Sequence, residues 1–468
     1  DTGFLLAASR LNAAAHEAAA RILGPDALRE LEAAAAVLLR AKLVLLGHGG
    51  AGKTCLRRRL AEGVFFEHLL ATDGVEMSEV ELTVAIADGG GGERRLSVFL
   101  WDLGGQYEFL ATHPFFIDSM AIFSLVVSLN RERDNQASVA NLASSLRFLR
   151  TVRARAPRAS VALVGTHADG VEQPVEALEQ LRVELEAACP GVLTPGLVFA
   201  ISSRDGGGVE ELRTGLAAHA VTLDHVRETV PAPYLKLHEE LSNRASASPH
   251  LPLGDVVSIA TSPACHVPVL GAPDATIPDS ASALRALAKL TSWGAVHHHA
   301  SPSLRGTVVL RPKWLADAMA CVIGPKRAEV DEGVSPIVRE RTERRCRLMS
   351  GGRLDHSRLD ELWCAATIEG FAEANASLCP YLLATMHAFE LAYPILNNDG
   401  EPSGESLVPS MLPQQRPLDL HPFAGLADDA KMAKMEVRLS FVPQELFPRL
   451  LVRLQQYVQA RDCWFDAH

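Results

Sequence analysis

Eight residues near the start of the chain, Gly47-His48-Gly49-Gly50-Ala51-Gly52-Lys53-Thr54, have the types and spacing to hold a polyphosphate. The pattern is G-x-x-x-x-G-K-[ST]; its glycines let backbone N–H groups turn inward and approach phosphate oxygens without side-chain obstruction. In such a loop Lys53 places a point charge on the β- and γ-phosphates, and the Thr54 hydroxyl is a ligand for Mg²⁺. Cys55 opens a helical pattern whose N-terminus adds partial positive charge. The plainer alternative is a glycine-rich turn between a buried strand and a helix.

The elements needed to position these groups are legible on either side. An apolar strand runs from Leu43 to Leu46, and a helix continues to about Ala61. Two further strand patterns, Val80 to Ala87 and Leu96 to Leu100, flank Asp88-Gly89-Gly90-Gly91-Gly92, which is hairpin chemistry. The second runs into Trp101-Asp102-Leu103-Gly104-Gly105-Gln106. An Asp at a strand end beside a phosphate loop can hold Mg²⁺ through water, and the Gly105 N–H can reach a γ-phosphate. Ala121 to Leu129 is a buried strand, Ser138 to Arg155 a helix, and Val161 to Gly165 a strand that ends at Thr166-His167-Ala168-Asp169. A carboxylate at Asp169 accepts from both N1–H and the exocyclic amine of guanine, whereas adenine offers no such donor pair on that edge, so Asp169 argues for GTP over ATP. Leu197 to Ile201 is a last strand, ending at Ser202-Ser203-Arg204, before a helix from Val209 to about Val221. Strand and helix signals alternating over residues 42 to 221 predict an α/β sheet with helices on both faces and its ligand at the carboxyl ends of the strands.

A length of 468 residues predicts two to four compact units. Net charge is −11, which gives no support to nucleic-acid binding. The eight cysteines are scattered with no C-x-x-C pair and read as reduced thiols. Adjacent residues on a strand point to opposite faces, so no more than two of His297, His298 and His299 can converge on a metal, and metal binding there is not expected. Arg40 and Lys42 interrupt the most apolar run, so a membrane span is not expected either. Residues 1–40 are alanine-rich with helical spacing; the chain opens on Asp1 without a signal sequence, which reads as a fragment of a longer, cytoplasmic protein.

The strings GHGGAGKT, ATDGV, WDLGGQYEFLATHPFF and GTHAD together resemble the Roc domain, the Ras-like GTPase of Roco proteins, a family that includes the leucine-rich repeat kinases. The THAD box departs from the Asn-Lys-x-Asp of most small GTPases and is similar to the T-H-x-D of Roc domains, a substitution that weakens the purine-stacking and loop-bracing roles. Past a linker at Val230-Pro231-Ala232-Pro233-Tyr234, the stretches 307–323, 359–363, 407–413 and 438–454 resemble the COR domain that follows Roc. The implied architecture is a helical linker over 1–40, a Roc domain over 41–224 with a mostly parallel sheet, and an α+β COR domain with halves over 225–404 and 405–468. The second half looks truncated, which puts dimerisation of this chain through COR in doubt.

The resemblance further implies GTP/GDP as ligand, micromolar affinity, exchange without a separate factor, and flanking domains of a longer Roco protein. Gln106 stands where Ras-like enzymes orient the attacking water, or is a solvent-exposed loop residue; Gly49 leaves room beside it. Thr72 would bind Mg²⁺ only while the γ-phosphate is present, so hydrolysis would release residues 65–75. Arg147, Arg150, Arg153 and Arg155 carry no assignable role and suit a wet helix face. Trp314, Trp363 and Phe447 read as core, and residues 324–356, with Arg339, Arg341, Arg344 and Arg345, as an insertion bearing a solvated helix. Three functions stay open: a slow GTPase switch, a nucleotide-dependent scaffold with negligible turnover, and an ATP-using P-loop enzyme, which Asp169 disfavours.

Overall fold

The computed structural model describes residues 39–67, 75–85, 93–104, 120–130, 137–227, 230–268, 274–322, 336–364, 367–368, 378–397, 401–412 and 450. The expected N-terminal linker, Thr72, Gly105, Gln106 and Phe447 lie outside them. The chain divides into two compact units, residues 1–105 with 118–315, and 106–117 with 316–468.

The first unit is built on β1 (Leu39–Leu46), which delivers the glycine loop into α1 (Lys53–Glu62). Next come β2 (Val75–Ala85), β3 (Glu93–Leu103), β4 (Ala121–Ser128), α2 (Ala137–Arg155), β5 (Ser160–Thr166), α3 (Pro174–Ala188), β6 (Val198–Ala200) and α4 (Val209–Ala220). The sheet order is β2-β3-β1-β4-β5-β6. The β2–β3 pair is antiparallel and the other pairs are parallel. The expected hairpin is therefore present, with β2 starting five residues earlier than the apolar alternation suggests.

Because side chains alternate across a strand, β1 serves two layers. Leu39, Ala41, Leu43 and Leu45 enter one core cluster with Leu56 and Leu60 of α1 and Leu212 and Leu216 of α4. The intervening Arg40 and Lys42 are the charges that break the apolar run. The Arg40 guanidinium lies over the rings of Phe99 and Trp293, 5.5 and 4.8 Å from their centroids, and the Lys42 ammonium lies 5.0 Å from that of Trp101. Aromatic faces attract both cations and compensate part of their desolvation.

The first unit continues through α5 (Ala232–Ala245), β7 (His250–Pro252), α6 (Leu253–Ala260), α7 (Ser280–Trp293), β8 (His297–His298), β9 (Thr307–Val309) and the start of α8 (Pro312–Ala320). The three short strands form an antiparallel sheet ordered β7-β9-β8. α7 ends at Gly294 with φ of 77°, and a Cβ there would fall 2.8 Å from Trp101 Cζ2, so glycine both caps the helix and admits the ring. Arg40 Nη1 lies 3.4 Å from His238 Nδ1, and the Lys313 ammonium 3.1 Å from a Glu76 carboxylate oxygen. Burial, then the Arg40 charge, push the His238 pKa down to about 4. His297 and His298 lie on a strand as expected. Trp314 is buried, also as expected.

The second unit holds the end of α8, α9 (Pro336–Leu348), β10 (Arg353–Asp355), the single turn α10 (Leu359–Leu362), α11 (Cys379–Ala388), β11 (Tyr393–Leu396) and β12 (Pro402–Leu407). β12 is the centre of an antiparallel sheet between β10 and β11. Here the expectation of a solvated helix over 324–356 is corrected. Arg341 and Arg345 on α9 are 4% and 1% exposed. Arg345 Nη1 donates to the Ala320 carbonyl at 2.9 Å, and Trp363 Nε1 to that of Ala318 at 2.8 Å, so both satisfy the carbonyls that a helix C-terminus leaves over. Arg341 donates to the Thr367 carbonyl and lies 3.7 Å from the Asp317 carboxylate. Arg339, which is exposed, and the half-buried Arg344, paired with Glu340, are the two that fit the expected face.

Candidate functional site

The site begins where β1 runs out. Gly47 has φ of 151°, and a Cβ there would sit 2.3 Å from the Val126 carbonyl oxygen of neighbouring β4. The loop thus passes so close to the sheet that only glycine fits. Gly50 and Gly52 follow with φ of 78° and 84°, and beside Gly49 and Gly50 a Cβ would meet nothing. α1 opens at Gly52 without a side-chain cap and with no acidic residue in its first turn. Its first N–H groups therefore face the loop with no competing carboxylate, the arrangement that suits an anion.

Lys53 folds back along the loop, its ammonium donating to the Gly47 and His48 carbonyls at 2.8 and 2.9 Å. Burial lowers its pKa to about 8, against the raising effect of Asp102. Thr54 Oγ1 donates to Asp102 Oδ2 at 2.6 Å, and Asp102, at the end of β3, is fully buried. Arg57 approaches the same carboxylate oxygen at 3.9 Å and donates to Ser78 on β2. The hydroxyl and the carboxylate form a hard oxygen pair beside the phosphate loop, the donor chemistry Mg²⁺ prefers when phosphate and water complete its shell. Among the described residues no three His, Cys, Asp or Glu side chains gather to hold a metal unaided.

The far end of the site is assembled from distant segments. Thr166, buried at the end of β5, donates to the Ala51 carbonyl at 2.7 Å and contacts that of Val127 at 3.1 Å, bracing the phosphate loop. His167 takes a left-handed conformation with φ of 58°, its Nδ1 lying 3.0 Å from Ser128 Oγ and 3.2 Å from Thr166 Oγ1. That turn lifts Asp169 into the short 3₁₀ segment Ala168–Gly170, where its side chain is exposed. The Ala168 N–H donates to the Ile201 carbonyl at 3.1 Å and so sets the loop of Ser202, Ser203 and Arg204 beside the Asp169 turn.

The described candidates thus fall into two groups. Gly47, Gly49, Gly50, Ala51, Gly52, Lys53, Thr54, Cys55 and Asp102 make one end, and Thr166, His167, Asp169, Ser202, Ser203 and Arg204 the other. Thr72, Gly105 and Gln106 lie outside the described residues. Sequence reasoning does not single out Arg57, Arg59 or Ser128. Three consecutive arginines on a helix ordinarily mark its wet face, and nothing local says that two of them turn inward.

A mostly parallel six-stranded sheet that feeds a glycine loop into a helix, with an Asp at the neighbouring strand's end, defines a Ras-like P-loop GTPase domain; the α+β region behind it is a COR domain. The family model "Ras of Complex, Roc, domain of DAPkinase" matches residues 42–169, and "C-terminal of Roc, COR-A domain" matches 231–412. The chain belongs to the Roco proteins.

It is 24% identical over 446 residues to "Probable serine/threonine-protein kinase pats1" of Dictyostelium discoideum, covering 90% of this chain and 12% of that protein. With "Cyclic GMP-binding protein C" of the same organism it shares 22% over 465 residues, covering 93% of this chain and 16% of that one. The chain therefore spans less than a fifth of either relative. A solved structure described as "Structure of methanosarcina barkeri Roco2 RocCORdC bound to GDP" shares the fold, with a TM-score of 0.54 at 22% identity, covering 80% of this chain and 96% of that one.

Proposed function

We propose that this chain is a guanine-nucleotide switch that binds GTP and GDP, hydrolyses GTP slowly and couples the bound state to its COR region. The observation that carries the reading is the Thr54–Asp102 oxygen pair at 2.6 Å, set against a loop whose close pass over β4 admits only glycine. In this reading the amides of Gly49 through Cys55 surround the phosphates. Lys53 exchanges its two loop carbonyls for β- and γ-phosphate oxygens as nucleotide enters. Thr54 and, in the triphosphate state, Thr72 would hold Mg²⁺, with Asp102 holding it through water, and the ion would neutralise charge on the phosphate oxygens. Gly105 donates its N–H to the γ-phosphate, and Gln106 orients the water for in-line attack. Asp169 accepts from the guanine N1–H and amine, while Thr166, His167 and the loop of Ser202, Ser203 and Arg204 brace that pocket.

The kinase and cyclic-GMP-binding names of the longer relatives support a place for this chain beside other signalling domains. A cytoplasmic address rests on the scattered thiols of the sequence. Single-turnover GTP hydrolysis by the wild type and by Gln106→Leu tests the proposal. The expected result is slow but measurable wild-type cleavage, reduced about tenfold or more in the variant. Equal rates at background would replace it with a nucleotide-dependent scaffold.

A further inference from the structure

Arg59 sits on the second turn of the helix whose first turn faces the phosphate loop, yet its guanidinium ends on the opposite side of the site. Its Nε donates to the Ser203 carbonyl at 2.9 Å, and its Nη2 to the Arg204 carbonyl at 2.7 Å, a reach of about 145 residues along the chain. Its third nitrogen, Nη1, donates to the Gly63 carbonyl at 2.7 Å, where α1 has ended. One planar, permanently charged group thus fixes three backbone carbonyls from two segments, a task a lysine ammonium performs with less geometric control.

We infer that Arg59 is the positioning residue for the base-recognition loop, tying it to the phosphate-binding helix and to the chain that leaves that helix toward residues 68–74. The inference rests on the guanine-nucleotide reading above and names the residue that makes its base pocket rigid.

The loop is closed on itself by the Ser202 N–H to the Gly207 carbonyl at 2.8 Å and the Gly206 N–H to the Ser202 carbonyl at 3.0 Å, so it keeps its shape. Its orientation is what Arg59 adds. In a trans peptide C=O and N–H point in opposite directions, so drawing the Ser203 carbonyl toward α1 turns the Arg204 N–H away from it. A fixed N–H donor is matched by the O6 acceptor of guanine and mismatched by the amine that adenine carries there. Arg204 adds a weaker tie of its own, an exposed ion pair with Glu67 at 2.7 Å on the same departing chain.

The test uses the full chain as wild type, Arg59→Ala, Arg59→Lys and Glu67→Gln, with two readouts. Backbone hydrogen exchange is followed at residues 47–52 and 203–206 in nucleotide-free protein, and release of a fluorescent GDP is timed by chase with unlabelled GDP. Arg59→Ala is expected to speed exchange at 203–206 while leaving the strands and 47–52 unchanged, and to speed GDP release about tenfold or more. Arg59→Lys falls between, and Glu67→Gln stays within about twofold. Unchanged exchange at 203–206, or a rise spread evenly over the whole sheet, overturns the inference. So does a wild-type release rate in Arg59→Ala. Were the wild type to bind no guanine nucleotide, the functional reading would fall, and the exchange at 203–206 would still decide whether Arg59 orients the loop.

Discussion

The two ends of the site are built in opposite ways. At the phosphate end Lys53 bonds to carbonyls five and six residues back, and the loop's glycines supply the conformations; distant segments add Asp102, the acceptor for Thr54, and the Thr166 brace on Ala51. At the base end the contacts that bring its segments together cross the chain: Thr166 to Ala51 over 115 residues, His167 to Ser128 over 39, Arg59 to Ser203 over 144. A self-contained loop is specified by its own residue types. An assembled pocket is specified by the sheet that brings its parts together, and it inherits that sheet's order.

The largest break of this contrast is Lys53→Ala. It removes the charge both from the phosphates and from two loop carbonyls, at a cost of about 3 kcal/mol or more, so GDP affinity falls about a hundredfold. Calorimetric titration checks it, and pyrophosphate should weaken by the same factor if the loop is self-contained. Gly47→Ala attacks the same end through the backbone. A positive φ and a Cβ 2.3 Å from the Val126 carbonyl force a shift that costs about 2–4 kcal/mol, read as a lower denaturant midpoint.

Thr166→Val probes the join between the ends, since this hydroxyl braces the phosphate loop from the base side. Losing it costs about 1–3 kcal/mol and weakens GDP and pyrophosphate alike, about tenfold. Weakening of GDP alone would show that the ends act independently.

The smallest effect lies outside both ends and serves as their control. Burial holds the His238 and His297 imidazoles neutral, with pKa values down to about 4, against about 6.5 in an unfolded chain. The unfolded state therefore takes up protons first. Stability from these groups is complete above about pH 6.5 and is lost as pH falls toward 4. Melting temperature should drop over that window, and His238→Gln should flatten part of the slope.

The same contrast explains what the sequence discloses. Residues 42–54 carry their meaning in consecutive types, and Asp102 and Asp169 are found because the first closes an apolar strand and the second follows one by three residues. The partners of those residues are not local. Arg57, Arg58 and Arg59 read as one basic run, yet Arg57 faces Asp102 and Ser78, Arg59 the Ser203 loop, and Arg58 lies over the ring of Phe66. On α9, Arg341 and Arg345 look like a solvated stripe until the carbonyls of Thr367 and Ala320 stand opposite them. Charge patterning reports that a side chain is polar; whether an acceptor from another segment waits for it is settled by the fold.

Displacement of a fluorescent guanine nucleotide by GDP and by ADP, with Mg²⁺ present, tests the central claim most directly. With Asp169 reading the base, adenine leaves acceptors unpaired at about 1–3 kcal/mol each, so GDP should displace the probe at a concentration about a hundredfold lower than ADP. ADP competing as well as GDP, or better, would contradict the assignment of this site to guanine nucleotides.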